Sequence, residues 1–259
     1  HIIDGNPAAR KLILHSSDIV TENTIDSLTY LNNSGYIRVQ KENVVAILDV
    51  AQIGPDYIPG HGHADVLSFE LSLFGERVVV NSGTSTYETN ALRHKQRSTI
   101  SHSTIEVDGK NSSEVWSGFR VARRAKVFSI GSSEEGNDAK VSACHSGYQR
   151  LRGSPTHCRE WNFSENSLEI IDSITGNSEH KVKAVLPLHP DIELTEVKKD
   201  SVKLQVGRKQ VNIKFIGSGI LQIVSSKYYP EFGLSIDNVQ LLYDYNNHLP
   251  FKLTTRISW

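Results

Sequence analysis

Apolar and polar residues alternate along this chain in short runs, and nearly every run ends at a Gly, Asn, Asp or Ser turn. Alternation with a period of two suits an extended strand with one face buried, whereas a helix needs a period near 3.6 residues. Runs of this kind cover residues 36–39, 44–50, 67–73, 77–81, 104–107, 121–130, 140–145 and 167–175. They continue at 181–188, 192–197, 201–206, 210–216, 221–225, 234–237, 239–243 and 251–257. Many short strands at such spacing predict an all-β fold with little helix, a sandwich or a barrel; the fold class expected is a large antiparallel multi-strand β-sandwich (a supersandwich). Only residues 17–32, helix or loop, and 90–96 read as helical. The Ser-, Glu- and Gly-rich stretch 131–137 reads as a surface loop inside one domain, because strands continue on both sides.

At 259 residues the chain can bury a substantial core. A net charge of −1 argues against a nucleic-acid or membrane partner held by bulk charge. No apolar run is long enough to span a bilayer as a helix, and His1 to Arg10 do not read as a signal peptide. The chain lacks methionine, so it is expected to be a processed or cut portion of a larger product. Two cysteines, Cys144 and Cys158, are too few for a disulfide scaffold. Their pairing is possible but not required by the sequence, and they do not decide the compartment.

The chemistry concentrates in one region. The run Pro59-Gly60-His61-Gly62-His63-Ala64-Asp65 places two imidazoles and a carboxylate at alternate positions before a strand-like segment. In an extended chain these three side chains would share a face, with small spacers leaving it open to a ligand. Histidine serves both as a general base near neutral pH and as a zinc ligand. Downstream come Asn81-Ser82-Gly83-Thr84-Ser85-Thr86-Tyr87, then Arg93, Arg97 and Ser101-His102-Ser103-Thr104. Three imidazoles (His61, His63, His102), a phenol and two guanidiniums can converge there.

Residues Gly60 through Lys126 resemble the heparinase II/III-like family, the C-terminal β-sandwich of alginate- and heparin-type polysaccharide lyases. The resemblance rests on Gly60-His61-Gly62-His63-Ala64-Asp65-Val66-Leu67-Ser68-Phe69-Glu70-Leu71 and on Val80-Asn81-Ser82-Gly83-Thr84 with Tyr87. It continues at Arg97-Ser98-Thr99, Ser101-His102-Ser103-Thr104, Val107-Asp108-Gly109 and the segment from Ser113 to Ala125. It implies β-elimination beside a uronic acid in an acidic polysaccharide. The proton at C5 is weakly acidic, so the reaction needs neutralisation of the adjacent carboxylate, a base for the proton and an acid for the departing O4. By this resemblance His61 is the catalytic histidine of the β-domain, with Tyr87 beside it. Arg93 and Arg97 line the substrate groove. His63 and His102 are two ligands of a structural zinc site. The family's third ligand is a carboxylate, where this chain has Asn81; Asp65 or water can complete the shell. The resemblance also implies an N-terminal α/α-toroid that supplies further catalytic residues and faces the sandwich across the cleft. Residues 1–34 then form a lead-in, a remnant of the linker to that domain, and residues 35–259 the sandwich. The implied compartment is the bacterial periplasm or the cell exterior.

Other readings of the same residues stand beside these. His63 and His102 can form a buried hydrogen-bonded cluster. Tyr87 can be a packing residue, and Arg93 and Arg97, four apart, can form one solvated helix face. Arg120, Arg123, Arg124 and Lys126 read as solvated surface, with a patch guiding an anionic polymer as the alternative. Trp116 and Trp161 suit a core more often than a sugar-stacking surface. His145 and His157 read as structural. The whole chain can also be a non-catalytic polysaccharide-binding or structural module. No Asp/Glu pair suited to glycoside hydrolysis emerges.

Overall fold

The computed structural model describes residues 27–55 and 57–259. In chain order the strands are β1 (Leu28–Leu31), β2 (Tyr36–Lys41), β3 (Val44–Asp49), β4 (Phe69–Leu73), β5 (Glu76–Val79), β6 (Ile105–Val107), β7 (Val115–Trp116), β8 (Arg120–Val121), β9 (Val127–Glu135) and β10 (Asp138–His145). They continue with β11 (Thr156–Ser164), β12 (Ser167–Thr175), β13 (Glu179–Pro187), β14 (Glu193–Val197), β15 (Ser201–Val206), β16 (Lys209–Ile216), β17 (Ile220–Tyr228), β18 (Ile236–His248) and β19 (Phe251–Ser258). One short α-helix, α1 (Ala91–Arg97), follows β5.

Every ladder between these strands is antiparallel. Strands β1 to β5 form a meander in sequence order. A second sheet runs β14-β15-β16-β19-β12-β11-β10-β9, a third runs β17-β18-β13-β6, and β7 with β8 makes a small hairpin. The three large sheets close on one continuous core, while the β7–β8 hairpin packs Val115 and Val121 on a small separate cluster with Ile53 and Ala64. Leu48 and Leu71 from the meander meet Trp161, Ile170 and Leu253 from the large sheet and Val182 and Leu241 from the third. The expected all-β sandwich is the observed fold. Alternation is cleanest in β12, where Leu168, Ile170, Asp172 and Ile174 point inward in turn. Truncating a wholly buried residue such as Leu48 to Ala costs about 2–5 kcal/mol in transfer and cavity terms.

The structure departs from the sequence expectations in several places. Most of 17–32 lies outside the described residues, but its end, Leu28–Leu31, is a strand paired with β2 rather than helix or loop. The stretch 131–137 is not a loop: β9 runs to Glu135 and only Gly136 and Asn137 turn. It is an edge strand exposed from Phe128 onward, so backbone pairing to β10 holds it without an inward apolar pattern. The run 121–130 is broken between β8 and β9. Strand β11, absent from the expectation, carries His157 and Arg159 inward beside Trp161 and Phe163. The expected strands 234–237 and 239–243 are replaced by the single strand β18, which starts at Ile236 and leaves Leu234 and Ser235 outside it. Cys144 and Cys158 lie directly opposite across β10 and β11 and are joined by a disulfide.

Candidate active site and metal-binding cluster

The His61–Asp65 run is not an extended strand. Pro59 to His61 form one 3-10 turn, closed by the Gly62 N–H on the Pro59 carbonyl at 2.9 Å. Gly62 allows this turn to pack, since a Cβ there would lie 2.6 Å from Ile53 Cγ1. The turn separates the two histidines, so the expected common face of His61, His63 and Asp65 does not form. The His61 ring is exposed. It stands edge-on to the rings of Tyr87 and Phe119, with centroids 5.3 and 5.5 Å away. His63 turns inward and is 5% exposed.

Helix α1 fixes the loop. Asn90 caps it by accepting the Arg93 N–H at 2.9 Å. Arg93 and Arg97 are each 1% exposed, so the solvated helix face is not what forms. Arg97 donates to the carbonyls of Gly62, Ser117, Arg120 and Trp116. It thereby pins the histidine loop to the β7–β8 hairpin. Burial and the neighbouring Arg93 draw its pKa down to about 10. Arg93 directs Nη1 to His63 Nε2 at 3.2 Å and packs its guanidinium 5.1 Å from the Tyr87 ring centroid. Its Nη2 is buried without a hydrogen-bond partner.

His102 follows a second 3-10 turn, Thr99–Ser101, and is fully buried. The two histidine segments are laced together. Thr99 Oγ1 donates to the Ala64 carbonyl at 2.7 Å, Thr104 Oγ1 to that of Val66 at 2.9 Å, and Ser103 Oγ to that of Phe69 at 2.5 Å. Beneath them Arg159 donates through Nη1 to the carbonyls of Leu67 and Ser103, at 2.7 and 2.5 Å. Leu67 holds φ at +59°, a left-handed conformation that costs a branched residue about 1–3 kcal/mol. The Arg159 bond is one of the contacts that offset this cost.

His63, Asp65 and His102 bring one ligand atom each within 4.8 Å of one another. Two imidazoles and a carboxylate are a donor set able to hold a metal ion. One further feature fits such an ion: neither ring nitrogen of His102 makes a well-formed hydrogen bond, the Gln96 carbonyl being a nearby but poorly aligned acceptor. Buried polar atoms are normally well satisfied, so a ligand on His102 would complete what the Gln96 carbonyl supplies only weakly. Burial pushes both imidazoles toward the neutral, ligating form. For His63 the His102, Arg93 and Arg97 charges add to it; for His102 the Asp65 carboxylate and a hydrogen bond to the Gln96 backbone oppose it. Asn81 has its own partner, its Oδ1 accepting the Gly83 N–H at 3.0 Å. The carboxylate standing with the histidines is Asp65. Asp49 lies close by, its Oδ1 accepting the Ala51 N–H at 2.9 Å. Burial and the Asp65 charge hold its carboxyl well above the usual range. A cavity of about 240 Å³ borders His61, His63, Asp65 and Asp49.

The remaining expectations divide. Trp161 is wholly buried, while Trp116 is 54% exposed. Arg120, Arg123 and Lys126 are exposed. His145 and His157 have partners that the sequence did not disclose, each other and Asp172.

The C-terminal domain of the heparinase II/III-like proteins matches residues 26–259. The chain belongs to the heparinase II/III-like family. Among solved structures it resembles the heparan sulfate lyase HepC from Pedobacter heparinus at 16% identity and a TM-score of 0.73, over 89% of this chain and 36% of that one. It also resembles a heparinase III at 17% identity and a TM-score of 0.70, over 87% of this chain and 35% of that one. At such identities the likeness establishes the fold. The chain spans about a third of the length of these relatives. No curated protein sequence matches it.

Proposed function

We propose that this chain is the β-sandwich portion of a polysaccharide lyase that cleaves a uronic-acid-containing acidic polysaccharide by β-elimination. A helical α/α-toroid domain of the same protein would close the cleft from the other side. The observation that carries the reading is the placement of His61: an exposed imidazole, framed by aromatic rings, bordering the same cavity as the cluster of buried His63 and His102 with half-buried Asp65. An exposed imidazole can neutralise the uronate carboxylate or take the C5 proton, and Tyr87 stands beside it to serve the departing O4. Arg97 and Arg93 hold this arrangement rather than reach solvent. Zinc is the ion that the donor set suits, held by His63, His102 and Asp65. When bound it would fix the floor of the cleft and add positive charge beneath it. The Cys144–Cys158 disulfide supports a periplasmic or secreted location, since such bonds persist in oxidising compartments.

The test is the absorbance of the C4–C5 double bond in uronate products, using the protein that carries this chain with its helical domain. Heparan sulfate, alginate and other uronate polymers are the substrates. His61→Ala is expected to lower kcat about 10²–10⁴-fold with an unchanged melting temperature. Full activity in that variant, or no unsaturated product from any uronate polymer, would sink the proposal.

A further inference from the structure

Three separate loops place exposed aromatic rings at one point of the surface. Tyr87 follows the Gly83 turn, Phe119 sits at the tip of the β7–β8 hairpin, and Phe232 lies between β17 and β18. They are 42, 44 and 65% exposed. Tyr87 is the centre, its ring centroid 5.5 Å from Phe119, 5.1 Å from Phe232 and 5.3 Å from His61. Folding alone would bury such rings, and none belongs to the hydrophobic core.

The cluster is also held in place. Gly83 pairs with Tyr229, which donates its N–H to the Ser82 carbonyl at 2.8 Å, and Gly233 donates to Ser85 at 2.8 Å. Gly83 has φ +81°, and a Cβ there would fall 2.0 Å from the Tyr229 carbonyl oxygen. The glycine thus lets the Phe232 loop dock against the segment that leads to Tyr87. Arg93 backs Tyr87 from within with a wholly buried guanidinium.

We propose that Tyr87, Phe119 and Phe232 form a stacking subsite for a pyranose ring of an acidic oligosaccharide, one sugar away from the residue held by His61. The inference rests on the lyase reading for the identity of the ligand. The C–H groups on the face of a pyranose carry partial positive charge and pack on the negative face of an aromatic ring. Arg93 favours a ligand of negative charge. Glu88 and Glu231, which flank Tyr87 and Phe232 in sequence, oppose a purely electrostatic grip. The subsite therefore contributes affinity that salt does not screen, while the uronate contact at His61 is salt-sensitive.

The experiment is an NMR titration of this chain with heparan sulfate and alginate tetrasaccharides, at low and high salt, following the aromatic resonances. Phe232 is chosen for substitution because its ring touches Tyr87 and not His61. The ring resonances of Phe232 and Tyr87 are expected to shift. Phe232→Ala is expected to weaken binding about tenfold at both salt concentrations, with Phe232→Trp retaining it. In the protein with its helical domain, Phe232→Ala should raise KM by a similar factor and leave kcat within about twofold. Unmoved Phe232 resonances, no binding of either oligosaccharide, or equal affinity in Phe232→Ala would overturn the subsite. So would a Phe232 ring that responds to sugar in this chain but is shielded once the helical domain is present, since that domain would then be what covers it. Shifted rings without unsaturated product would overturn the lyase reading and leave the subsite standing.

Discussion

Arg93 occupies a position where its guanidinium and an ion at His63 would compete. Its Nη1 approaches His63 Nε2 at 3.2 Å, so in this arrangement the imidazole accepts there and its proton sits on Nδ1. An ion on Nε2 would displace the guanidinium. An ion on Nδ1 would leave the proton on Nε2, where it faces the Arg93 guanidinium at 3.2 Å. Either way Arg93 opposes the ion. Arg93→Gln is accordingly expected to tighten zinc binding by at least about tenfold, because a unit charge a few ångströms away is worth several kcal/mol where water is scarce. Competition with a colorimetric chelator measures this, with His102→Ala as the control that loses the ion. Unchanged or weaker binding in Arg93→Gln, with the fold intact by circular dichroism, would refute the competition. The sequence showed that Arg93 and Arg97 belonged near the site but not that both are buried. Their i, i+4 spacing is the same whether a helix faces solvent or a loop folds over it. Here the β7–β8 hairpin and the histidine loop cover α1, supplying the carbonyls that make burial tolerable for Arg97.

At the level of elements, β10, β11 and β12 carry a buried polar chain whose direction is fixed from one end. The Gly147 N–H donates to His145 Nδ1 at 3.0 Å, so His145 must carry its proton on Nε2. It gives that proton to His157 Nδ1 at 3.0 Å, and His157 in turn donates from Nε2 to Asp172 Oδ1 at 2.7 Å. Arg159 closes the chain on Asp172 through Nε and Nη2, at 2.7 and 2.9 Å. Burial pushes the Asp172 carboxyl up, but Arg159 and His157 outweigh it and hold it down at about 2. Since Arg159 also grips Leu67 and Ser103, the chain links the large sheet to the loops that carry His63 and His102. Arg159→Met is expected to destabilise the fold by about 3–5 kcal/mol, because it strands a buried carboxylate. Adding Asp172→Asn should recover part of that loss, as read by urea unfolding. A single variant within 1 kcal/mol of wild type would show that the pair is not coupled in this way. This network is also why β11 was illegible. Its inward positions begin His157 and Arg159, which break the apolar alternation, whereas β12 was read because three of its four inward residues are aliphatic. The all-β architecture survived these errors, because antiparallel pairing continues through strands that the hydrophobic pattern does not mark.

The molecule as a whole packs its sheets around histidines that stay neutral, and this gives its stability a pH dependence. Burial lowers the pKa of His145, with the neighbouring His157, Arg159 and Arg150 adding to it and Asp172 opposing. Burial also lowers that of His157, against the Asp172 contact and with Arg159 reinforcing it. The unfolded chain therefore binds more protons than the folded one below the ordinary histidine pKa of about 6.5. Stability from this pair is complete above that pH and is lost as the pH falls toward the depressed folded values. If both rings stay neutral in the fold, the loss between pH 7.5 and 5.5 is about 2.7 kcal/mol. Asp49 acts with the opposite sign. Its carboxyl is raised, so the folded state holds its proton more tightly and gains stability on acidification. Urea unfolding of wild type and of a His145→Leu, His157→Leu variant, at both pH values and in the background Asp49→Asn, separates the two effects. The wild-type drop is expected to exceed that of the double variant, by at most the roughly 2.7 kcal/mol of the fully neutral limit. Equal drops would mean that the pair protonates within the fold, and the one-way hydrogen-bond chain from Gly147 to Asp172 would then be wrong.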